Sequence, residues 1–204
     1  LSALDEVLME VLRGEKTADQ AAEAVDRIAL APARYGRVLT FAAFALASGG
    51  AARFFGGGPR EMAAALIIGL VTGLLACVAE RLPNAGRLYE TMAALAAAFL
   101  ATAACSLIPM AFPIVVISAL LVLVPGLTVT LAMTELATRN LVSGAARLSG
   151  ALLMFMTIGV GFALGSRMGE IACGQPVPFD PGRQPIWSEW VALAITAGAL
   201  LVLF

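Results

Sequence analysis

The sequence predicts an all-α fold: a polytopic transmembrane helical bundle with amphipathic helices at its start. Three observations predict it. Apolar residues make up 60% of the chain and charged residues only 13%, against roughly half and a quarter in soluble domains. The charges are missing from long windows rather than thinly spread. Those windows approach the length of about 20 residues that a helix needs to cross the hydrocarbon core.

The elements follow in order. Leu1 to Arg13 reads as an amphipathic helix, with Leu1, Leu4, Leu8, Val11 and Leu12 on one stripe and Asp5, Glu6 and Glu10 off it. Gly14 ends it. Thr17 and Gln20 have capping-box spacing, and the helix they open runs to about Leu30, before Pro32. Residues 1–36 are expected to form a cytoplasmic helical segment, either packed on the membrane domain or acting as a gate.

Five spanning windows come next: Val38–Phe55, Met62–Ala79, Glu90–Ile108, Ile114–Thr134 and Leu148–Ser166. Residues 37–168 would thus be a five-helix membrane domain. Pro176, Pro178, Pro181 and Pro185 mark Arg167 to Glu189 as a loop, the Pro-rich extracytoplasmic segment being 169–189. A sixth span starts near Trp190 and is cut at Phe204, so 190–204 is its beginning. The first residue is Leu1 rather than Met, and a piece of a longer protein is expected. The turn Phe55-Gly56-Gly57-Gly58-Pro59 lacks the Lys-Ser/Thr pair of a phosphate-binding loop and reads as a plain connection.

With the N-terminus inside, nine Arg or Lys residues fall on the cytoplasmic side, among them Arg81, Arg87, Arg139 and Arg147. Four fall outside: Arg53, Arg60, Arg167 and Arg183. The positive-inside rule then places a multi-pass protein in the cytoplasmic membrane with its N-terminus cytoplasmic.

Much chemistry is excluded. There is no histidine, which removes Ser-His and Cys-His catalysis and His-ligated metals. Cys77, Cys105 and Cys173 have no metal-ligand spacing. Cys77 and Cys105 lie in apolar windows and read as packing residues, and Cys173 falls in the polar loop. The net charge is −1 with no basic block, which speaks against nucleic-acid binding. No acidic or basic residue sits near the centre of a window, where proton relays usually keep one. No enzyme, metal site or cofactor is expected; lipid and a small-molecule substrate are the expected partners.

Val124-Pro125-Gly126 interrupts the fourth window. Pro125 removes a backbone hydrogen bond and Gly126 lets the chain unwind. A helix broken at the midplane is a device for holding polar substrates or ions. Pro125 and Gly126, with the nearby hydroxyls Thr128, Thr130 and Ser118, are the candidate substrate-binding residues. A simple proline kink is the competing reading. At the helix ends, Glu80, Glu90 and Glu135 are solvated or paired with arginines such as Arg139 or Arg147, unless one carries protons. Two small-residue stripes, Gly69/Gly73 and Gly161/Gly165/Gly169, suit close helix packing, within the chain or as a homo-oligomer seam.

The run Leu123 to Ala137 (LVPGLTVTLAMTELA), followed by Asn140 to Leu148 (NLVSGAARL), resembles the threonine/serine exporter family. The Gly56-Gly57-Gly58 turn, the Tyr35 region and the amphipathic start fit the same family. Family members carry two five-span halves, fused or as separate proteins, so the resemblance implies a second half as partner. It implies export of threonine and serine driven by the proton gradient, with no cofactor. Split-type relatives are associated with dicarboxylate (succinate) export. Pro125, Gly126, Glu135, Gly144 and Arg147 match the family pattern, and Glu135 with Arg147 are the candidates for proton coupling or gating. A non-transporting oligomeric scaffold is the alternative from another class.

Overall fold

The computed structural model describes residues 7, 9–11, 13, 17–29, 37–80, 86–179 and 186–203. The chain divides into two compact units, Leu1–Gly36 and Arg37–Phe204. In the first unit, helix α1 spans Ala18–Ala29. Its capping box is reciprocal. The Thr17 amide donates to Gln20 Oε1 at 3.0 Å and the Gln20 amide donates to Thr17 Oγ1 at 3.5 Å. Residues 9–11 are helical and the Arg13 amide donates to the Met9 carbonyl. Gly14, Pro32 and most of the Leu1–Leu12 stripe lie outside the described residues.

The second unit holds α2 (Arg37–Phe54), α3 (Pro59–Glu80), α4 (Gly86–Leu107) and α5 (Phe112–Leu120), which continues as a 3-10 turn, Leu121–Leu123. Then come α6 (Gly126–Ala137), α7 (Leu141–Cys173) and α8 (Ile186–Leu203). No strand occurs among the described residues. The helices pack in a row: α8 on α2, α2 on α3, α3 on α4, α4 on α7, and α7 on α6. Helix α5 sits against α2, α3 and α4. Its Val115, Val116 and Ala119 form one core cluster with Ile68 of α3 and Ala97, Ala101 and Cys105 of α4.

Small residues set this packing. A Cβ on Gly161 or Gly165 would strike the carbonyl oxygens of Thr91 and Leu95 on α4, and one on Gly169 would lie 2.6 Å from Thr102 Cβ. Facing them, Ala94 and Ala98 are fully buried. Gly69 likewise admits the Phe44 carbonyl of α2, 2.7 Å from where a Cβ would be. Both stripes are therefore filled by neighbours within the chain, as lipid-embedded helices require for van der Waals contact.

Helices α3, α4 and α7 are long and apolar enough to cross a membrane. The pair Phe112–Leu123 and Gly126–Ala137 qualifies jointly, bent by 61°. Val38–Phe54 and Trp190–Val202 are shorter apolar helices. Among the described residues the count by length is thus three spans, or four with the bent pair taken as one.

The fifth window continues further than expected. Arg167 to Cys173, read from sequence as loop, is the last part of the 33-residue α7. At 1.5 Å per residue that is about 50 Å, well beyond a hydrocarbon core of about 30 Å. An Arg167–Glu170 pair at 2.7 Å, one turn apart, supports the polar extension. Gly174, at φ +91, stops the helix. Gly174–Phe179 is non-helical, and the Val177 amide donates to the Cys105 carbonyl at 3.1 Å. That bond occupies one of the carbonyls left free at the end of α4. Pro181 and Pro185 lie outside the described residues.

Candidate functional site

The break in the bent pair is a compact backbone event. Pro125 sits at φ −77, ψ 55, and the Gly126 amide donates across it to the Val124 carbonyl at 2.8 Å. This is an inverse γ-turn. It separates two helices rather than kinking one. Gly126 apart, the amides in the first turn of α6 have no helical carbonyl four residues back to receive them, and the helix dipole places positive character there. Gly126 is exposed, with open space where a side chain would stand.

The hydroxyls around the break are placed as follows. Thr130 is exposed and donates to the Gly126 carbonyl at 3.0 Å. Thr134 donates to Thr130 and Thr138 to Thr134, each at 3.0 Å. Thr128 is half-buried. Ser118 lies on the α5 side, fully buried, and donates to the Ile114 carbonyl at 2.6 Å. Pro125, Gly126 and Thr130 are therefore tied together, while the Ser118 hydroxyl is committed to its own helix.

A second cluster forms where α6 meets α7. Arg147 Nε lies 2.7 Å from Glu135 Oε1, and Ser143 Oγ donates to Glu135 Oε2 at 2.5 Å. The connecting turn explains why they meet. The Asn140 amide donates to the Glu135 carbonyl and the Arg139 amide to the Leu136 carbonyl, a Schellman motif with Arg139 in the left-handed region at φ 65. Gly144 is buried, 3.0 Å from the Ala132 carbonyl at the position of a Cβ, so the helices close tightly beside the pair. Sequence reasoning offered Arg139 and Arg147 as partners for Glu135. The structure selects Arg147, which a single α7 turn separates from Ser143.

A third cluster was not foreseen. Glu61 is 1% exposed and Arg53 6%. Glu61 Oε2 accepts from the Gly58 amide at 2.9 Å, and Oε1 accepts from the Ala111 amide at 3.0 Å. Arg53 Nη1 donates to the Gly57 carbonyl at 2.9 Å. The sequence did carry a signal: Gly58-Pro59-Arg60-Glu61 has Pro at N1 and Glu at N3, half of a capping box. Nothing local foretold the bond to Ala111, fifty residues on.

Two apolar grooves flank the α2–α8 contact. One, of about 260 Å3, includes Ala51, Phe54 and Leu200; the other, of about 280 Å3, includes Gly49, Met62 and Ile195. Neither is lined by Pro125, Gly126 or Glu135; Gly126 is exposed, and Pro125 and Glu135 are half-buried. No cluster of metal-ligating side chains occurs among the described residues.

Three apolar helices of spanning length, with a further pair broken at Pro125-Gly126, define an α-helical membrane protein. Residues 1–169 match the ThrE family, described as "Putative threonine/serine exporter". The chain belongs to that family. No curated protein matches it, and no solved structure does.

Proposed function

We propose that the chain is the first membrane half of a secondary transporter exporting threonine and serine across the cytoplasmic membrane, driven by the proton gradient. Family membership over residues 1–169 carries this reading. The break supports it locally. The start of α6 offers positive dipole character to a carboxylate, and the carbonyls left at the end of the 3-10 turn suit an ammonium. Thr128 and Thr130 would add hydroxyls, with Ser118 behind them. Glu135 and Arg147 would gate or carry protons.

In this reading α2 and α8 also cross the membrane, as the first and sixth spans, with local bilayer thinning for their length. The N-terminal unit is cytoplasmic. The second half, fused or separate, covers α6 and the outer face of α7. That face exposes Leu127, Leu131, Leu152, Met156 and Val160 beside the Thr130–Thr138 hydroxyls. The site is then completed between halves.

The test is reconstitution with the second half supplied. Liposomes loaded with labelled threonine and diluted into acidic buffer should lose label faster than in buffer of equal pH. Serine should compete. Loss at the protein-free rate would overturn the reading. Competition by succinate without serine would reassign the substrate to dicarboxylates.

A further inference from the structure

Helix α6 carries more hydroxyls than the break itself employs. Thr130, Thr134 and Thr138 follow one another every four residues, and all three are exposed. Each Oγ1 donates to the backbone one turn back, to the Gly126, Thr130 and Thr134 carbonyls, at 3.0 Å in every case. Such back-bonding is ordinary in apolar helices. Its consequence here is chemical. A hydroxyl has one hydrogen to give and two lone pairs to receive with. With the hydrogen held by the helix, these threonines present acceptors and no donor. Beside them on the exposed face stand Leu127, Leu131 and Met133, which present neither.

The spacing fits a particular group. Four residues of helix advance about 6 Å. A nitrogen midway between two such oxygens lies about 3 Å from each, the usual length of an N–H···O bond. Thr138 closes the row, because its oxygen already accepts from Asn140 Nδ2 at 3.4 Å. Among the described residues no side chain donates to the Thr130 or Thr134 hydroxyl. Helix α6 leans on α7, through the side that carries Ala132 against Gly144, and this leaves the Thr130–Thr134 edge open.

We propose that Thr130 Oγ1 and Thr134 Oγ1 form a seat for a primary ammonium group, a second station for the substrate along α6, with Thr134 selecting for the ammonium. A primary ammonium has three N–H donors and no acceptor, the complement of this edge. A dicarboxylate finds no donor there, and the nearby Arg147 is already paired with Glu135. The seat is centred about 9 Å along α6 from Gly126. The ammonium and carboxylate of an α-amino acid are only about 3 Å apart. One substrate molecule therefore cannot fill the seat while its carboxylate stays at the break; it moves from one to the other. The use of the seat in export rests on the transporter reading, but binding to it does not.

The test isolates the ammonium from the rest of the substrate. The protein is reconstituted with its second half supplied. Equilibrium binding of labelled threonine is measured, with competition by unlabelled threonine and by 3-hydroxybutanoate, which is threonine without the ammonium. Thr134→Val keeps the branched shape and removes the oxygen. It should weaken threonine binding by about tenfold, the effect of one hydrogen bond to a charged group, and leave 3-hydroxybutanoate within twofold of native. Thr134→Ser should bring threonine back to within threefold of native. A general loosening of α6 would weaken both compounds alike. Equal changes for the two compounds overturn the seat, as does no change for either, or a native protein that binds no threonine. If 3-hydroxybutanoate does not compete even in the native protein, loss in Thr134→Val with recovery in Thr134→Ser upholds the seat, and any other pattern overturns it. Selective binding without efflux removes the transport reading and keeps the seat. Efflux with native selectivity in Thr134→Val removes the seat alone.

Discussion

Arg147 Nε and Glu135 Oε1 stand 2.7 Å apart, joining α7 to α6 across the turn at Arg139. Arg147 is half exposed, so the pair contributes little to stability by itself. Glu135→Gln keeps an acceptor for Ser143 and Arg147 but removes the proton-binding form. If Glu135 carries protons, efflux by Glu135→Gln should lose its dependence on pH, read as rate against external pH. An unchanged profile removes Glu135 from the mechanism and leaves it as a helix–helix contact.

The break can be tested without disturbing packing, because Gly126 has no atom near the site of a new Cβ. Pro125→Ala combined with Gly126→Ala allows α5 and α6 to join. Membrane insertion should be intact and threonine efflux abolished. Normal efflux in the folded double variant would rule out the break as the substrate site.

The α4–α7 seam gives a stability prediction with an internal control. Gly165→Ala forces a methyl group into the Leu95 carbonyl, and overpacking of this kind costs about 1–3 kcal/mol. Gly159, on the same helix, faces open space. Gly159→Ala should be neutral or stabilising by about 0.5–1 kcal/mol, the usual helix preference. Thermal melts in detergent should move in opposite directions or, at the least, separate by several degrees.

Arg139 occupies a left-handed backbone conformation at the junction of α6 and α7. Glycine adopts it without the side-chain penalty. Arg139→Gly should raise stability by up to about 1 kcal/mol, read as a higher melting temperature, and leave the Glu135–Arg147 contact in place.

Much of this molecule was legible because its signals are local. Hydropathy located the apolar segments, Thr17 and Gln20 announced their capping box, and Pro125-Gly126 announced the break. The spacing of Gly161, Gly165 and Gly169 foretold a close helix contact, though not that α4 would fill it. The rest depends on what neighbours do. Arg167 and Glu170 looked like loop residues, yet they pair along one helix face and carry α7 onward. Glu61, just outside the second window, was marked by nothing beyond its place three residues after Gly58. Its burial comes from the α4–α5 turn, which no nearby residue encodes.

The helices on either side of Pro125-Gly126 keep different company: α5 is enclosed by α2, α3 and α4, whereas α6 leans on α7. The chain is therefore braced unevenly about the γ-turn. Helix α5 is held on three sides, whereas α6 takes its support chiefly from α7, which is fastened along α4 by the close approach of Gly161, Gly165 and Gly169. The connection from α6 back to the core thus runs through that glycine seam, and a bulky residue there would loosen two helices rather than one.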